Sequence, residues 1–243
     1  MKYIVTIFTL FFSSRVLSQS CVYGISTCKT NEACIKIDNQ SAQCILHPDL
    51  IPSIVFPMKA PAGIYCDQGN LSLDGNSHTY TNTAFALDLV SNRNFSAGEV
   101  IAGSGGVVIS YSECKTQNDQ CGNGFGNYVQ ILREDGYLLF YAHLDKVLVQ
   151  TGEKVKIGDL VGIEGNTGWT GENNRHLHFS VHYNWKNLGF NTLKNNIGWL
   201  PNSTPFKLNA CQPNQQNCNL LNTDSRDFKC SRVTNSLDWI KTL

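Results

Sequence analysis

The chain has 243 residues, and its nineteen basic and nineteen acidic side chains cancel in formal charge. It carries no Lys/Arg run of the kind that tracks a phosphate backbone or an anionic bilayer, which argues against nucleic acid as a partner. Twenty Gly, twelve Phe and ten Cys with 16% charged residues point away from long amphipathic helices and toward an all-β fold, a compact antiparallel sheet or sandwich with many turns.

Residues 1–20 start with Met1-Lys2-Tyr3, run apolar from Ile4 to Phe12 and end in small and polar residues. This reads as a secretory signal peptide, too short to span a bilayer. No other stretch approaches the roughly 18 apolar residues of a membrane-spanning helix. The expectation is an exported protein, extracellular or in the lumen of a digestive compartment. Cys21 follows the expected cleavage region, but Ser18-Gln19-Ser20 is a poor lipobox, so a lipid anchor is not expected. Ten cysteines in an exported chain imply five disulfides. No Cys-x-x-Cys pair occurs, which argues against a cysteine zinc site. Asn39, Asn70, Asn94 and Asn202 each open an Asn-x-Ser/Thr pattern that matters only in a glycosylating host.

Residues 21–46 hold Cys21, Cys28, Cys34 and Cys44 among polar residues with almost no apolar pattern. Such a segment cannot build a core and must be stapled, either as a structural cap or as a small binding knot. Residues 47–56, with Pro48 and Pro52, read as a linker. The main domain is expected over residues 57–205, with residues 206–243 as a cysteine-containing tail packed on it. Cys114 and Cys121 are near enough to staple the neck of one polar loop, and one tail cysteine is expected to reach back to Cys66.

His78 stands ten residues before Asp88, in a segment where Phe85, Leu87 and Leu89 share one strand face and Ala84, Ala86 and Asp88 the other. A carboxylate among alanines suits the floor of a recessed site; the plain alternative is a polar residue on a wet strand face. Ser96–Ala102 and Gly105–Tyr111 read as short strands around a glycine turn. Asn127–Arg133 and Tyr137–His143 read as a hairpin closed by Glu134-Asp135-Gly136. Strict alternation places His143 with Tyr137, Leu139 and Tyr141. Val155–Asp159 and Leu160–Glu164 read as two further β segments, followed by Gly165-Asn166-Thr167-Gly168, a turn with two glycines able to take positive φ. Arg175–Tyr183 alternates again, with Leu177, Phe179, Val181 and Tyr183 opposite His176, His178, Ser180 and His182. Trp185–Trp199 reads as an aromatic loop.

His176 and His178 lie about 6.5 Å apart on one side of a strand, so one can hold a metal while the other reaches substrate or metal-bound water. Hydrolytic zinc takes three protein ligands and one water, and two imidazoles with one carboxylate leave a net positive site that polarises a carbonyl. His78, Asp88 and one of the His176/His178 pair supply that set. The remaining histidine of the pair and His143 can move a proton or donate a hydrogen bond.

His176-Leu177-His178-Phe179, preceded by Tyr141-Ala142-His143-Leu144, Val155-Lys156-Ile157-Gly158-Asp159 and Gly165-Asn166-Thr167-Gly168, resembles the lysostaphin-type (LytM-like) zinc endopeptidases that cut peptidoglycan peptides. Ala86-Leu87-Asp88-Leu89, Gly98-Glu99-Val100-Ile101-Ala102 and Gly105-Gly106-Val107-Val108 resemble that family's opening strands, so the likeness covers roughly residues 78–183. It implies one Zn²⁺ held by His78, Asp88 and His178, catalytic roles for His143 and His176, and bacterial peptidoglycan peptides as substrate. The sequence departs from the family in the ten-residue spacing from His78 to Asp88, and in Glu172-Asn173-Asn174-Arg175 standing where Thr-Gly-Pro is usual. The rim of the groove is therefore expected to differ. His182 is expected to be solvated or to support the ligands from behind, with no ligand role of its own. A zinc-stabilised binding module without turnover is the alternative of another class.

Overall fold

The computed structural model describes residues 20, 32–36, 41–46, 51–60, 63–69, 78–115, 117–183, 188–209, 223–224 and 230. Nearly all of the expected signal peptide, Cys21, Cys28, Cys211, Cys218, the sequons at Asn39 and Asn70, and residues 47–50 lie outside the described residues. In chain order the strands are β1 (Glu32–Lys36), β2 (Ala42–Leu46), β3 (Ser53–Val55), β4 (Met58–Lys59), β5 (Ile64–Gln68), β6 (Leu87–Ser91), β7 (Glu99–Ile101) and β8 (Gly106–Tyr111). They continue with β9 (Asn127–Leu132), β10 (Tyr137–Leu144), β11 (Lys146–Val147), β12 (Lys154–Val155), β13 (Leu160–Ile163), β14 (Leu177–Tyr183), β15 (Lys207–Asn209) and β16 (Thr223–Asp224). One short helix, α1 (Phe190–Lys194), stands in the stretch read as loop.

The fold is all-β. A seven-stranded antiparallel sheet runs β12-β8-β9-β10-β14-β6-β5, and a four-stranded sheet runs β11-β13-β7-β4. Between them lies the core, where Leu87, Leu89, Val129, Ile131, Leu139, Tyr141, Leu177, Phe179 and Val181 from the large sheet meet Met58, Val100 and Val161 from the small one. These are the odd-numbered positions of β6, β9, β14 and most of β10, as the sequence alternation requires. Burying a Leu or Phe side chain of this kind stabilises by about 1.5–3 kcal/mol.

Two short strands from outside the expected domain limits complete this core. β3, in the stretch read as linker, pairs in parallel with β15 in the tail, and Ile54, Phe206 and Leu208 are buried with the rest. Cys66 on β5 is bonded to Cys230, and Cys114 to Cys121. Among the described residues no cysteine is free. In the β1–β2 pair, Cys34 stands opposite Cys44.

The expected hairpin forms: Arg133 N–H donates to the Tyr137 carbonyl (2.9 Å), and Gly136 takes φ 86°. Val155–Asp159 is strand only at its start. Lys156 N–H donates to Asp159 Oδ2 at 2.7 Å, which bends the remainder into a turn around Gly158 at φ 88°. Of the two glycines able to take positive φ, Gly168 does (79°). Gly165 is instead required by close approach, since a Cβ there would stand 2.0 Å from the Asp145 nitrogen.

Candidate metal centre

The second face of the large sheet is half apolar, with Tyr128, Leu138, Phe140, Ala142 and Leu200 packed together, and half imidazole. On it His178 of β14 sits directly opposite Asp88 of β6 on one side and Ala142 of β10 on the other. Cross-strand partners have Cβ atoms about 4.5–5.5 Å apart, so the β14–β6 register alone brings this carboxylate to this imidazole. Asp88 is buried, not on a wet face.

His78 arrives from a loop with φ 50°. Its Nδ1 stands 3.1 Å from the Gly69 carbonyl oxygen. A carbonyl only accepts, so Nδ1 carries the proton and Nε2 of the neutral ring presents a lone pair. That Nε2 lies 3.3 Å from His178 Nδ1 and 3.2 Å from Asp88 Oδ1, and His178 Nδ1 lies 3.0 Å from the same oxygen. Three donor atoms thus converge in one small triangle, each residue buried. Ligands at about 2.0–2.1 Å from a tetrahedral zinc are spaced about 3.3 Å apart, so the donor set fits that ion in kind and in spacing. No carbonyl or hydroxyl claims His178 Nε2, a buried nitrogen without a hydrogen-bond partner among the described residues.

His143 reaches the same space by breaking the alternation. Its φ is 62°, and the β9–β10 register shifts between Tyr141 and Leu144. This bulge sends Leu144 into the core and turns His143 toward His178, with ring centroids 5.8 Å apart. Strict alternation would have put His143 on the core face with Tyr141. Five non-glycine residues among those described have positive φ: three are Asn, which tolerates it, and the other two are His78 and His143. His143 Nδ1–H donates to the Thr167 carbonyl (2.8 Å), and His176 Nδ1–H donates to the Asn174 carbonyl (2.7 Å). The two rings lie 4.8 Å apart, and His176 Nε2 is 3.8 Å from Asp88 Oδ1.

Burial works against the ionised Asp88, yet the facing His78 and His176 and the hydrogen bonds from His178 and His78 hold its carboxyl well below the usual range. Burial also opposes a charged His78, but the Asp88 carboxylate outweighs it and raises that pKa. His143 is pushed well below the ordinary value by burial first and by His176 and His178 next. His178 is lowered by burial, against the pull of Asp88. His182 is not solvated. It is fully buried, with Nδ1–H on the Pro201 carbonyl (2.9 Å) and Nε2 on the Ser180 hydroxyl (2.7 Å).

One buried group was missed by the sequence reading. Glu164 is wholly buried and accepts from the backbone of Ser91 (3.0 Å) and Gly98 (2.9 Å) and from the Ser91 hydroxyl. Arg175 Nε stands 3.3 Å from its Oε2 as an ion pair without hydrogen-bond alignment. This cluster ties Arg175, next to His176 and two residues before β14, to Ser91 at the end of β6. The only sequence signal for it was a charge at each end of the turn, and such charges are usually solvated.

Residues 87–189 match the family model described as Peptidase family M23. The chain is 46% identical over 57 residues to the peptidoglycan DD-endopeptidase ShyA of Vibrio cholerae, covering 23% of this chain and 13% of that protein. It is 37% identical over 65 residues to the murein hydrolase activator NlpD of Escherichia coli, covering 27% and 16%. The chain therefore spans less than a fifth of the length of these relatives. Among solved structures, the antimicrobial peptidase lysostaphin from Staphylococcus simulans superposes with a TM-score of 0.33 at 28% identity, covering 44% of this chain and 39% of that one.

Proposed function

We propose, from the match of residues 87–189 to the model of peptidase family M23, that this chain is a secreted zinc endopeptidase that hydrolyses peptide bonds in bacterial peptidoglycan. The observation that carries the reading is the convergence of His78 Nε2, Asp88 Oδ1 and His178 Nδ1 at 3.0–3.3 Å, with His143 and His176 beside them. His78, Asp88 and His178 would hold the zinc. When bound, zinc polarises a carbonyl and lowers the pKa of water.

The remaining work falls to the chain. Burial and its neighbours keep His143 neutral, and its Nδ1–H is fixed on the Thr167 carbonyl, so Nε2 is the atom that takes a proton from the attacking water and returns it to the leaving amine. His176, held by the Asn174 carbonyl, offers Nε2 to an oxygen of the substrate when that nitrogen carries a proton. Disulfides at Cys66–Cys230 and Cys114–Cys121 support an oxidising, exported setting.

The test is turbidity clearing of purified bacterial walls by zinc-loaded protein, with His178→Ala as control and mass spectrometry of the released peptides. Clearing by the wild type alone is expected; no clearing of any wall type, despite bound zinc and intact disulfides, rejects hydrolysis. The likeness to a protein named as an activator favours a second reading, a zinc-stabilised binding module. His143→Ala separates the two, because only a hydrolase has turnover to lose while it keeps its zinc.

A further inference from the structure

The rim of the groove departs from the resembling family at Glu172-Asn173-Asn174-Arg175, and there the surface opens into a cavity of about 340 Å³ lined by Arg93, Asn166, Asn173 and Arg175. Two guanidiniums and two carboxamides line it, and no carboxylate does. Arg175 is matched by the buried Glu164, so that pair is close to neutral. Arg93 is not matched: among the described residues no carboxylate lies within ion-pair distance of it. Its NH2 group donates to Asn174 Oδ1 at 2.8 Å. The backbone carbonyl of the same Asn174 accepts the Nδ1–H of His176 at 2.7 Å, and its Nδ2 donates to the Thr170 carbonyl at 2.9 Å. One residue, pinned on three sides, therefore links the cationic cavity to the histidine beside the metal centre. The one unmatched charge of the cavity, Arg93, is thus two hydrogen bonds removed from the imidazole beside the metal centre.

We propose that this cavity is a carboxylate subsite, which selects wall peptides bearing a free carboxyl group close to the bond that is hydrolysed. The inference rests on the peptide-hydrolase reading and names its substrate class. A guanidinium presents parallel N–H donors whose spacing matches the two oxygens of a carboxylate, and the carboxamide of Asn173 can add a neutral donor. A carboxamide in place of the carboxylate sets an NH₂ group against these donors and loses the charge. The subsite thus distinguishes a free acid from its amide.

The test uses the stem peptide L-Ala-γ-D-Glu-L-Lys-D-Ala-D-Ala in three forms: free acid, amidated at the D-Glu α-carboxyl, and amidated at the C-terminus. Binding is followed by calorimetry on the zinc-loaded, disulfide-intact His143→Ala protein, which prevents turnover. One of the two amidations is expected to weaken binding about tenfold, the scale of one charge-assisted contact. Adding Arg93→Gln, an exposed position, should abolish that discrimination, and Arg93→Lys should retain part of it. The proposal is overturned if neither amidation changes affinity by more than about twofold, if the discrimination survives Arg93→Gln, or if no form binds up to about 5 mM. Wall clearing by the wild type, run in parallel, reports on hydrolysis alone. Clearing without discrimination sinks only the subsite, whereas discrimination without clearing sinks hydrolysis and leaves a carboxylate-binding module.

Discussion

Replacing His182 by Gln removes a ring that is satisfied only in its neutral form, with Nδ1–H on the Pro201 carbonyl (2.9 Å) and Nε2 accepting from Ser180 (2.7 Å). Burial, the largest cause, lowers its pKa from 6.5 to about 3. The sign follows from comparing proton uptake. Below about pH 6.5 the unfolded chain binds a proton at this position, and the native protein does not until about pH 3. The contribution to stability is thus whole above 6.5 and is lost progressively as pH falls toward 3. At pH 4, about 2.5 pH units below the unfolded value, the loss is about 3 kcal/mol at ~1.4 kcal/mol per unit. Urea unfolding of metal-free, disulfide-intact wild type and His182→Gln at pH 7 and pH 4 measures it. Asp88, His78, His143 and His178 titrate in both proteins and cancel in the difference of differences. A double difference near 3 kcal/mol, with the wild type losing more, is expected. A value below about 1 kcal/mol refutes the assignment of a dry, neutral His182.

Three further outcomes are expected. His143→Ala should lower hydrolysis by about 10²–10⁴-fold while zinc content by metal analysis stays near one per chain. Replacing Glu164 by Ala leaves Arg175 without its counter-charge and three donors without an acceptor, which should cost about 3–5 kcal/mol in chemical denaturation; Glu164→Gln should cost less. The Cys66→Ser, Cys230→Ser pair opens a link spanning 164 residues and should cost about 2–5 kcal/mol. It should also weaken zinc binding in a competitive chelator titration, because β5 leads to the Gly69 carbonyl that orients His78.

Much of the frame was legible because it follows from period-2 patterning. Leu177, Phe179 and Val181 could face the core only if His176 and His178 faced away, and the same logic placed Asp88 opposite Leu87 and Leu89. The Asp135-Gly136 turn and the Cys114–Cys121 staple are local and were equally readable. His143 was assigned a site role by resemblance, but its phase was wrong by alternation, because a single left-handed residue reverses the face and no residue type announces it. The partners that fix the imidazole tautomers were hidden for a different reason. Gly69, Thr167 and Asn174 act through backbone carbonyls, which every residue has. β3 and β15 were concealed by their shortness and by lying at opposite ends of the chain.

The donor triangle joins atoms that are 90 and 100 residues apart in the chain. The β9–β10 hairpin can form from local contacts, but the triangle exists only once β14 has found β6, a pairing with a long loop to close. An ion therefore has no site on the chain until folding is nearly complete. Its binding energy is then added to the native state and hardly at all to the folding barrier. We expect zinc to leave the refolding rate almost untouched and to slow unfolding in proportion to its affinity, so that the loaded protein is long-lived rather than quick to form.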